Sequence, residues 1–485
     1  MKSPILGSSY VARSVNAADN RMVNLFPEIV PEGGKDPAFL QRAPGMSDSG
    51  LSPGSAGGVN CLYTYTYNQI NYLVVNQGQG IYTSANGGAL VYRGNISPTV
   101  TDLFVTMSHN DTQVFIANRY NNTGWVMDMA SFAITQEAGS TFGPDNIGVG
   151  TVAYLDGYFV FNTPGTNRVY VSNLLDGTTI DPLAWANADG SPDLVQTIAV
   201  INGELWIFGT NSIEVWYNAG TTPFPFAPIQ GSFNETGCAA IDSVATLDNS
   251  LFWLGRDARG QGVVYRTNGY RPERVSTHAV EWQIQRYTDL SDAIAFTYQQ
   301  DGHAFYVITF PTGNATWVYD VSTQAWHERA SWDGTNFNRH IANCQAFYEG
   351  QTLVGCTDGT INVLSTDVYT EPGVECKWLR SWRALPPGQN NLKRTAHHSL
   401  QIDCETGNDA SGERNVSLRW SDDGGHTYNT ERTASLGAFG DYSKRVIFRR
   451  LGMTTQLRDR VYELSGIDSP IFVMGAELML SPTDA

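Results

Sequence analysis

The sequence predicts an all-β protein: a six- or seven-bladed β-propeller with an extended N-terminal arm and a C-terminal antiparallel β-sandwich. Three observations predict this class: a composition rich in glycine and aromatic residues, a strand-turn-strand pattern that recurs through the middle of the chain, and a different alternation towards its C-terminal end. We place the arm at residues 1–55, the propeller at 56–370 and the sandwich at 371–485.

The composition favours strands joined by tight turns. Only 16% of the 485 residues are charged, whereas 12% are aromatic and 48 are glycine; an average soluble chain has roughly 25% charged residues. No run of 18 consecutive apolar residues occurs, so we expect no membrane insertion by this chain. The six cysteines form no CxxC or Cys/His spacing, which predicts free thiols from a reducing cytoplasm, no metal site and no cofactor.

The repeat consists of seven segments, each with an apolar strand, a turn often built on Asp-Gly or Asn-Gly, and a second, strongly apolar strand. Such turns supply the two positive φ angles that type I′ hairpins need. Four strands in about 40–50 residues is the period of a propeller blade. The second strands begin 42 to 54 residues apart, near Ile70, Thr112, Gly157, Gly203, Asn249, His303 and Gly350.

Most segments lead into another hairpin, which would form the outer half of a blade. One example is "TWVYDVSTQAWHER" at 316–329, where we expect Trp317 and Trp326 to pack between blades and not to contact a ligand. The last segment lacks a convincing outer hairpin, which leaves the blade count at six or seven.

The two ends of the chain do not follow the repeat. "MVNLFPEIVPEGGKDP" contains three prolines and two glycines, so we expect an arm that is held by docking onto other surfaces. Beyond residue 371, strands with period-2 alternation recur about a dozen or more residues apart, as expected for an antiparallel sandwich.

Charge is unevenly distributed along the chain. The net charge is −17, but residues 377–460 carry a local excess of about five positive charges, so the remainder is strongly acidic. An acidic body disfavours tight binding of nucleic acid, because that requires clustered cations, but it suits a surface that DNA passes without sticking. The basic run of Lys444, Arg445, Arg449 and Arg450 is either a solvated strand face with subunit salt bridges, or a contact for an acidic neighbour or DNA phosphate.

Motif searches predict no catalytic residue. GxSxG, HExxH and P-loop patterns are absent, and nothing marks the pair of carboxylates that a glycosidase needs. "SDDGGHTY" at 421–428 has the form of an Asp-box, which predicts a hairpin turn in which Asp423 accepts hydrogen bonds from turn amides and Tyr428 packs underneath. We expect His303, His327 and His340 to be hydrogen-bonded structural residues.

The N-terminal stretch "ARSVNAADNRMVNLFPEIVPEGGKDPAFLQRAPGM" resembles the opening of a family of phage tail proteins, known as packaged-DNA stabilisation proteins, tail accessory factors or hub (nozzle) proteins. "DGHAFYVITFPTGNATWVYDVSTQAWHER" and "VSLRWSDDGGHTY" are similar to its central and C-terminal regions. The residues that carry the N-terminal resemblance are Ser14, Asn16, Asn24, Leu25, Phe26, Glu28 and "APGM" at 43–46.

The resemblance implies a structural protein of the virion tail, assembled in the cytoplasm of a host bacterium. It would form a homo-oligomeric ring, usually a hexamer, below the portal and its adaptor, and tail fibres or a plug would attach to it. The ring would continue the DNA channel, retain packaged DNA and pass it, without sequence specificity, at ejection.

On this hypothesis the arm and the basic run supply the contacts to other subunits or to the adaptor. The predicted contact residues are Asn16, Asn24, Phe26, Glu28, Lys444, Arg445, Arg449 and Arg450. The alternative hypothesis is a glycan-binding or glycan-cleaving propeller that resembles sialidases. A carboxylate pair and an arginine cluster in the central cleft would favour that alternative.

Overall fold

The computed structural model describes residues 1–11, 13, 18–31, 34, 36–54, 56–97, 105–137, 146–386, 394–410, 412–455 and 460–483. The all-β prediction is confirmed, since these residues contain 44 strands, one 3₁₀ turn and a single α-helix, α1 (His278–Ile284). None of the described helices has the length and apolarity that crossing a membrane requires.

The N-terminal segment supplies seven short strands that form no core of their own. Only β2 and β3 pair with each other alone, whereas the other strands join sheets built by later parts of the chain. The strands are β1 (Lys2–Ser3), β2 (Tyr10–Val11), β3 (Asp19–Asn20), β4 (Met22–Val23), β5 (Leu25–Ile29), β6 (Ala38–Arg42) and β7 (Gly45–Asp48).

Successive antiparallel sheets follow, each built mainly from consecutive strands. The first two comprise β8 (Val59–Tyr67), β9 (Ile70–Gln77), β10 (Gly80–Ala85) and β11 (Val91–Asn95), then β12 (Val105–His109), β13 (Gln113–Asn118), β14 (Thr123–Asp128) and β15 (Ile134–Glu137). The next two comprise β16 (Val152–Leu155), β17 (Tyr158–Asn162), β18 (Arg168–Val171) and β19 (Trp185–Asn187), then β20 (Val195–Ile201), β21 (Glu204–Gly209), β22 (Ile213–Asn218) and β23 (Phe226–Pro228).

The fifth to seventh sheets depart slightly from this plan. The fifth contains β24 (Gly237–Cys238), β25 (Ala245–Leu247), β26 (Ser250–Asp257), β27 (Gly260–Asn268) and β28 (Arg271–Arg274), and the sixth contains β29 (Ile294–Gln300), β30 (His303–Phe310), β31 (Ala315–Asp320) and β32 (Ala325–Glu328). After the small pair β33 (Ala330–Trp332) and β34 (Phe337–Arg339), the seventh contains β35 (Ala342–Tyr348), β36 (Gln351–Cys356) and β37 (Ile361–Ser365). Its fourth strand is β7, so the chain start completes the sheet that lacked an outer hairpin.

The turns within these sheets have the geometry that the repeat predicts. Asp156 and Gly157 have φ angles of 50° and 91°, and Asn202 and Gly203 have 53° and 75°. Two consecutive positive φ angles characterise the type I′ turn, whose twist matches that of the flanking strands.

The sheets pack face to face in cyclic order. Every neighbouring pair shares a cluster of buried apolar side chains, and the seventh sheet packs on the first through residues that include Leu62, Leu73 and Leu353. Trp317 and Trp326 belong to the cluster between the fifth and sixth sheets, which confirms their predicted packing role.

The C-terminal strands form two sheets that enclose a separate core, which includes Trp378, Trp382 and Tyr462. One sheet has the order β42-β39-β44-β6-β5, with β1 paired to β44, and the other contains β4-β38-β43-β40-β41. The strands are β38 (Lys377–Arg383), β39 (Thr395–Cys404), β40 (Asn415–Ser421), β41 (Arg432–Ser435), β42 (Val446–Met453), β43 (Val461–Ile467) and β44 (Phe472–Pro482).

The described part of the predicted arm, residues 1–55, forms no core of its own and docks onto other surfaces, but it does so by adding strands to the sheets of both other parts of the chain. Strands β1, β5 and β6 extend one sheet of the sandwich, and β7 completes the seventh sheet of the repeat region. Strand β4 lies between β32 and β38, which makes one nine-stranded sheet that runs from the repeat region into the sandwich. The sandwich is therefore built from both ends of the chain.

Candidate functional site: the junction and the basic edge

The junction between the two parts of the molecule is built around Asn24, one of the predicted contact residues. Its side-chain Nδ2 donates to the carbonyl oxygens of Ala330 and Lys377, both at 2.7 Å, and its Oδ1 accepts from the Ala330 amide at 3.0 Å. The backbone takes a left-handed φ of 53°, which asparagine tolerates better than most residues. A single buried side chain thus ties a strand of the repeat region to a strand of the sandwich.

Phe26 is also buried inside the chain, with 1% of its surface exposed. Its ring meets the edges of His303 and Phe305 at centroid distances of 5.0 and 5.3 Å, and stacks near His327 at 6.0 Å. Since Asn24 and Phe26 are fully occupied within one chain, the structure gives them the role of joining two domains in place of a contact to another subunit.

The remaining predicted contact residues of the arm are placed differently. Glu28 is half-buried and accepts a hydrogen bond from the Gln41 side chain at 2.8 Å within the β5–β6 hairpin. Asn16 lies outside the described residues. For these two residues the contact to another subunit or to the adaptor stays a prediction.

An ion pair that the sequence did not indicate reinforces the junction. The Arg21 guanidinium grips both carboxylate oxygens of Glu328, with its Nη2 2.8 Å from Oε2. Two parallel hydrogen bonds fix the orientation as well as the distance of the two groups. Because Glu328 ends β32 and Arg21 immediately precedes β4, this pair fastens the N-terminal segment to the sixth sheet.

The basic run forms an exposed edge of the sandwich, which we call the basic edge: Lys444, Arg445, Arg449 and Arg450. All four side chains are exposed, and β42, which carries the two later arginines, is the outermost strand of its sheet. Arg445 donates to the Gln401 side chain at 2.7 Å, so its guanidinium is partly held by the neighbouring strand. The other three cations face solvent, and we find no carboxylate in ion-pair contact with them among the described residues.

A groove of about 600 Å³ runs beside the basic edge. It is lined by Arg449, Arg450 and His398 together with two exposed methionines, Met453 and Met479, whose exposed fractions are 52% and 65%. Flexible methionine side chains adapt to varied partners. The surface therefore combines positive charge with apolar contact area.

The Asp-box is a folded turn, as predicted. The Asp423 carboxylate accepts from the amides of His426 and Thr427, both at 2.9 Å, and these bonds with the Ser421 and Thr427 hydroxyls lower the pKa of Asp423. Tyr428 lies against the Arg419 guanidinium and donates to Asp19 at 3.1 Å. Ser421, Asp423 and Thr427 hold the turn, whereas Asp422 pairs with Arg460 outside it.

The buried histidines differ from one another. His303 Nδ1 lies 2.8 Å from the Asp320 carboxylate, and this hydrogen bond raises the pKa of His303. His327 is fully buried, and neither ring nitrogen has a hydrogen-bond partner among the described residues, which departs from the prediction. Burial and the nearby Arg329 charge lower the pKa of His327 to about 3, so the ring is neutral.

All seven sheets contribute residues to the wall of a central cavity of about 630 Å³, which we call the axial cavity. Among its described lining residues Asp242 is the one carboxylate, and the Arg119 guanidinium binds both its oxygens, at 2.9 and 2.5 Å. The carboxylate pair that glycoside hydrolysis requires is therefore not found among the residues that the structure describes there. Likewise, no cluster of three metal-ligating side chains occurs in the described parts of the chain.

Comparison with known proteins identifies a family over both parts of the chain. The family described as "Bacteriophage P22 Gp10, beta-propeller" matches residues 1–369, and that described as "Bacteriophage P22 Gp10, beta-sandwich" matches residues 378–478. The first match includes the N-terminal segment that completes the seventh sheet. No curated protein sequence matches the chain.

Solved structures show a weaker likeness. Two are extracellular domains assigned to a hybrid two component system and a one component system, both BT4673 from B. thetaiotaomicron. The first is 12% identical with a TM-score of 0.42, covering 66% of this chain and 39% of that one; the second is 12% identical with a TM-score of 0.43, covering 71% and 47%. The chain spans less than half the length of either, and the likeness carries no functional argument.

Proposed function

The chain belongs to the bacteriophage P22 Gp10 family of phage tail proteins that stabilise packaged DNA, and from this premise we propose that it is a hub or nozzle of a virion tail. In this role copies of the chain form a ring, hexameric by the family resemblance, below the portal and its adaptor. The ring continues the DNA channel, retains the packaged DNA and passes it at ejection. The observation that carries the proposal is the family match, which spans both parts of the chain.

We further infer that the seven sheets are the blades of one propeller. The cyclic packing supports this count, because each sheet shares a buried cluster with the next and the seventh with the first. Closure of the last blade by β7 gives a propeller whose first and last strands are held together by hydrogen bonds.

The junction suits a tail protein that must transmit force between its neighbours. A hub transmits force between its neighbours only if its two domains keep a fixed orientation. The nine-stranded sheet, the Asn24 hydrogen bonds and the Arg21–Glu328 ion pair each cross the boundary between the domains. We propose that propeller and sandwich therefore behave as one rigid unit within the ring.

Charge distribution supports a head-to-tail contact between copies. The basic edge projects from a chain whose remainder is strongly acidic, so it is complementary to the body of a second copy. A contact between two different surfaces of identical chains closes into a ring when the rotation between them permits. We place the basic edge in this contact, with the adaptor or a fibre protein as the other candidate neighbours.

The same charge distribution suits the transit of DNA. A channel wall dominated by carboxylates repels phosphate and prevents the counterion release that drives tight, salt-dependent binding. The proposal therefore predicts that the assembled ring does not retain free DNA at physiological salt. In the virion the ring would retain packaged DNA by closing the channel together with the neighbouring tail proteins, and not by binding the DNA tightly.

Charge reversal at the basic edge tests the proposed contact. The test variant carries three substitutions, Lys444→Glu, Arg449→Glu and Arg450→Glu, and keeps Arg445, which is hydrogen-bonded to Gln401. A matched control replaces three exposed arginines of the propeller by glutamate: Arg256, Arg259 and Arg271. We expect the first variant to remain folded but to lose rings in electron micrographs and DNA from virions, whereas the control keeps both. Rings of normal stability from the first variant would contradict the placement of the contact.

The alternative, a propeller that binds or cleaves glycans, remains a prediction that a direct assay can decide. Turnover of a host glycan by the purified chain would favour the enzyme. Binding on a glycan array without turnover would favour a receptor-binding module. Neither turnover nor glycan binding, together with ring formation, would favour the hub.

A further inference from the structure

The axial cavity has the size of a ligand site. Its volume of about 630 Å³ lies within the roughly 300–1,000 Å³ of small-molecule sites. All seven sheets contribute residues to the wall, six through their first strands and the fifth through β25, β26 and the 3₁₀ turn before them. Neither the family match nor the proposed tail function uses this cavity.

Arg339 gives one side of the cavity an unneutralised positive charge. This half-buried residue lines the cavity, and its Nη1 donates to Asn343 Oδ1 at 3.2 Å, while no described carboxylate lies within ion-pair distance of it. The Asp292 carboxylate acts on it only from a distance. Burial lowers the pKa of Arg339 by more than the distant Asp292 charge raises it.

The other charged group on the wall does not supply that counter-charge. Both oxygens of Asp242 are held by Arg119, which extends from the second sheet to the fifth. These sheets are not neighbours in the ring, so the ion pair reaches across the axis. A polymer that ran along this axis would have to pass the ion pair.

The rest of the wall suits a compact, partly polar molecule. Threonines from three different sheets, Thr106, Thr197 and Thr246, alternate with apolar residues such as Val105 and Ile198. Hydroxyl groups can donate or accept hydrogen bonds, whereas the guanidinium only donates and matches the geometry of carboxylate or phosphate. The Arg339 side of the wall thus favours an anionic group of a ligand, and the threonine side can hydrogen-bond to the hydroxyl groups of the same ligand.

We propose that the axial cavity binds a small organic anion, whose carboxylate or phosphate pairs with Arg339 while Asn343 holds the guanidinium in position. The ligand is a small molecule and not nucleic acid, because the Arg119–Asp242 pair bridges the axis. The proposal is independent of the role of the chain in a tail, and it requires no reaction of the ligand.

Binding to the full-length chain by calorimetry tests the proposal with three probes: glucuronate, its neutral counterpart glucose, and inorganic phosphate. We expect glucuronate or phosphate to bind and glucose to bind at least tenfold more weakly. Arg339→Met should weaken binding of the anion at least tenfold, whereas Arg259→Met, which removes an exposed propeller arginine, should leave it unchanged. Binding of glucuronate alone, or of phosphate alone, identifies which oxyanion the site prefers.

Three results would overturn the proposal: binding of glucose as tight as that of the anion that binds, unchanged affinity for that anion in the Arg339→Met variant, or no binding of any probe at 10 mM. If the Arg339→Met chain does not fold, crystals of the natural chain soaked in selenate replace it. Anomalous density beside Arg339 would then support the proposed anion site, and the absence of such density there would refute it.

Discussion

Removal of the Phe26 ring should destabilise the isolated chain strongly. The side chain is 1% exposed and contacts three other rings. Truncation to alanine removes roughly 100 Å³ of ring, and at about 24 cal/mol per Å³ the remaining cavity costs about 2 kcal/mol beyond a similar transfer term. Phe26→Ala should therefore lower the free energy of unfolding by about 4 kcal/mol.

Denaturant unfolding followed by tryptophan fluorescence measures this loss. A matched control, Phe347→Ala, removes the same ring from a propeller position that is 63% exposed, and it should change the unfolding free energy by less than about 1 kcal/mol. If Phe26 instead faced another subunit, the isolated Phe26→Ala chain would unfold like the natural chain and only ring assembly would fail. That outcome would refute the burial of Phe26 at the junction.

Three further perturbations follow from the junction and its surroundings. Asn24→Ala should lower the free energy of unfolding by about 3 kcal/mol, because buried backbone groups of Ala330 and Lys377 lose their hydrogen-bond partner. Asn24→Gly should lower it by about 1 kcal/mol less, because glycine accepts the φ of 53° without strain. Equal losses in the two variants would contradict the argument from backbone strain. Burial raises the pKa of Glu371 from 4.5 to about 7, so the folded state binds its proton more tightly and stability falls as pH rises through that window. The free energy of unfolding of Glu371→Gln should therefore rise by up to about 3 kcal/mol relative to the natural chain between pH 5 and pH 8. A difference between the two chains that does not change with pH would contradict this prediction. The hydrogen bond to Asp320 raises the pKa of His303, so protonated His303 stabilises the fold fully below about pH 6.5, and this stabilisation is lost as pH rises through the folded pKa. Thermal unfolding between pH 6 and pH 9 should show that Asp320→Asn abolishes this pH-dependent fall in stability.

The repeat could be predicted from the sequence because its signals are local. Turn dipeptides such as Asp156-Gly157 and Asn202-Gly203 fix two φ angles by their own chemistry, and the alternation beside them assigns the buried face. The Asp-box was predictable for the same reason, since Asp423 and its partners lie within four residues.

The completion of the last sheet could not be read in this way. Strand β7 is four residues long, reads "GMSD" and pairs with β37 more than 300 residues later, so no local pattern connects them. The role of Asn24 was hidden for the same reason: its importance was indicated by resemblance, but its partners Ala330 and Lys377 are distant in sequence.

The basic edge was predicted in part. The four cations of the run are exposed while Val446 and Phe448 between them are buried, yet Arg449 and Arg450 are both exposed although they are adjacent. Arg450 adopts a φ of 58°, which interrupts the alternation of the strand. Sequence periodicity does not anticipate a left-handed residue of this kind in a strand.

The threading of the chain start into late strands has a consequence for biosynthesis. Strands β1 and β7 are synthesised long before their partners, since β1 pairs with β44 and β7 with β37. At about 5–20 residues per second, tens of seconds separate the synthesis of the first strand from that of its mate. Throughout that delay β1 and β7 have no partner strand, so the two sheets that they complete can close only after the last strands have been synthesised.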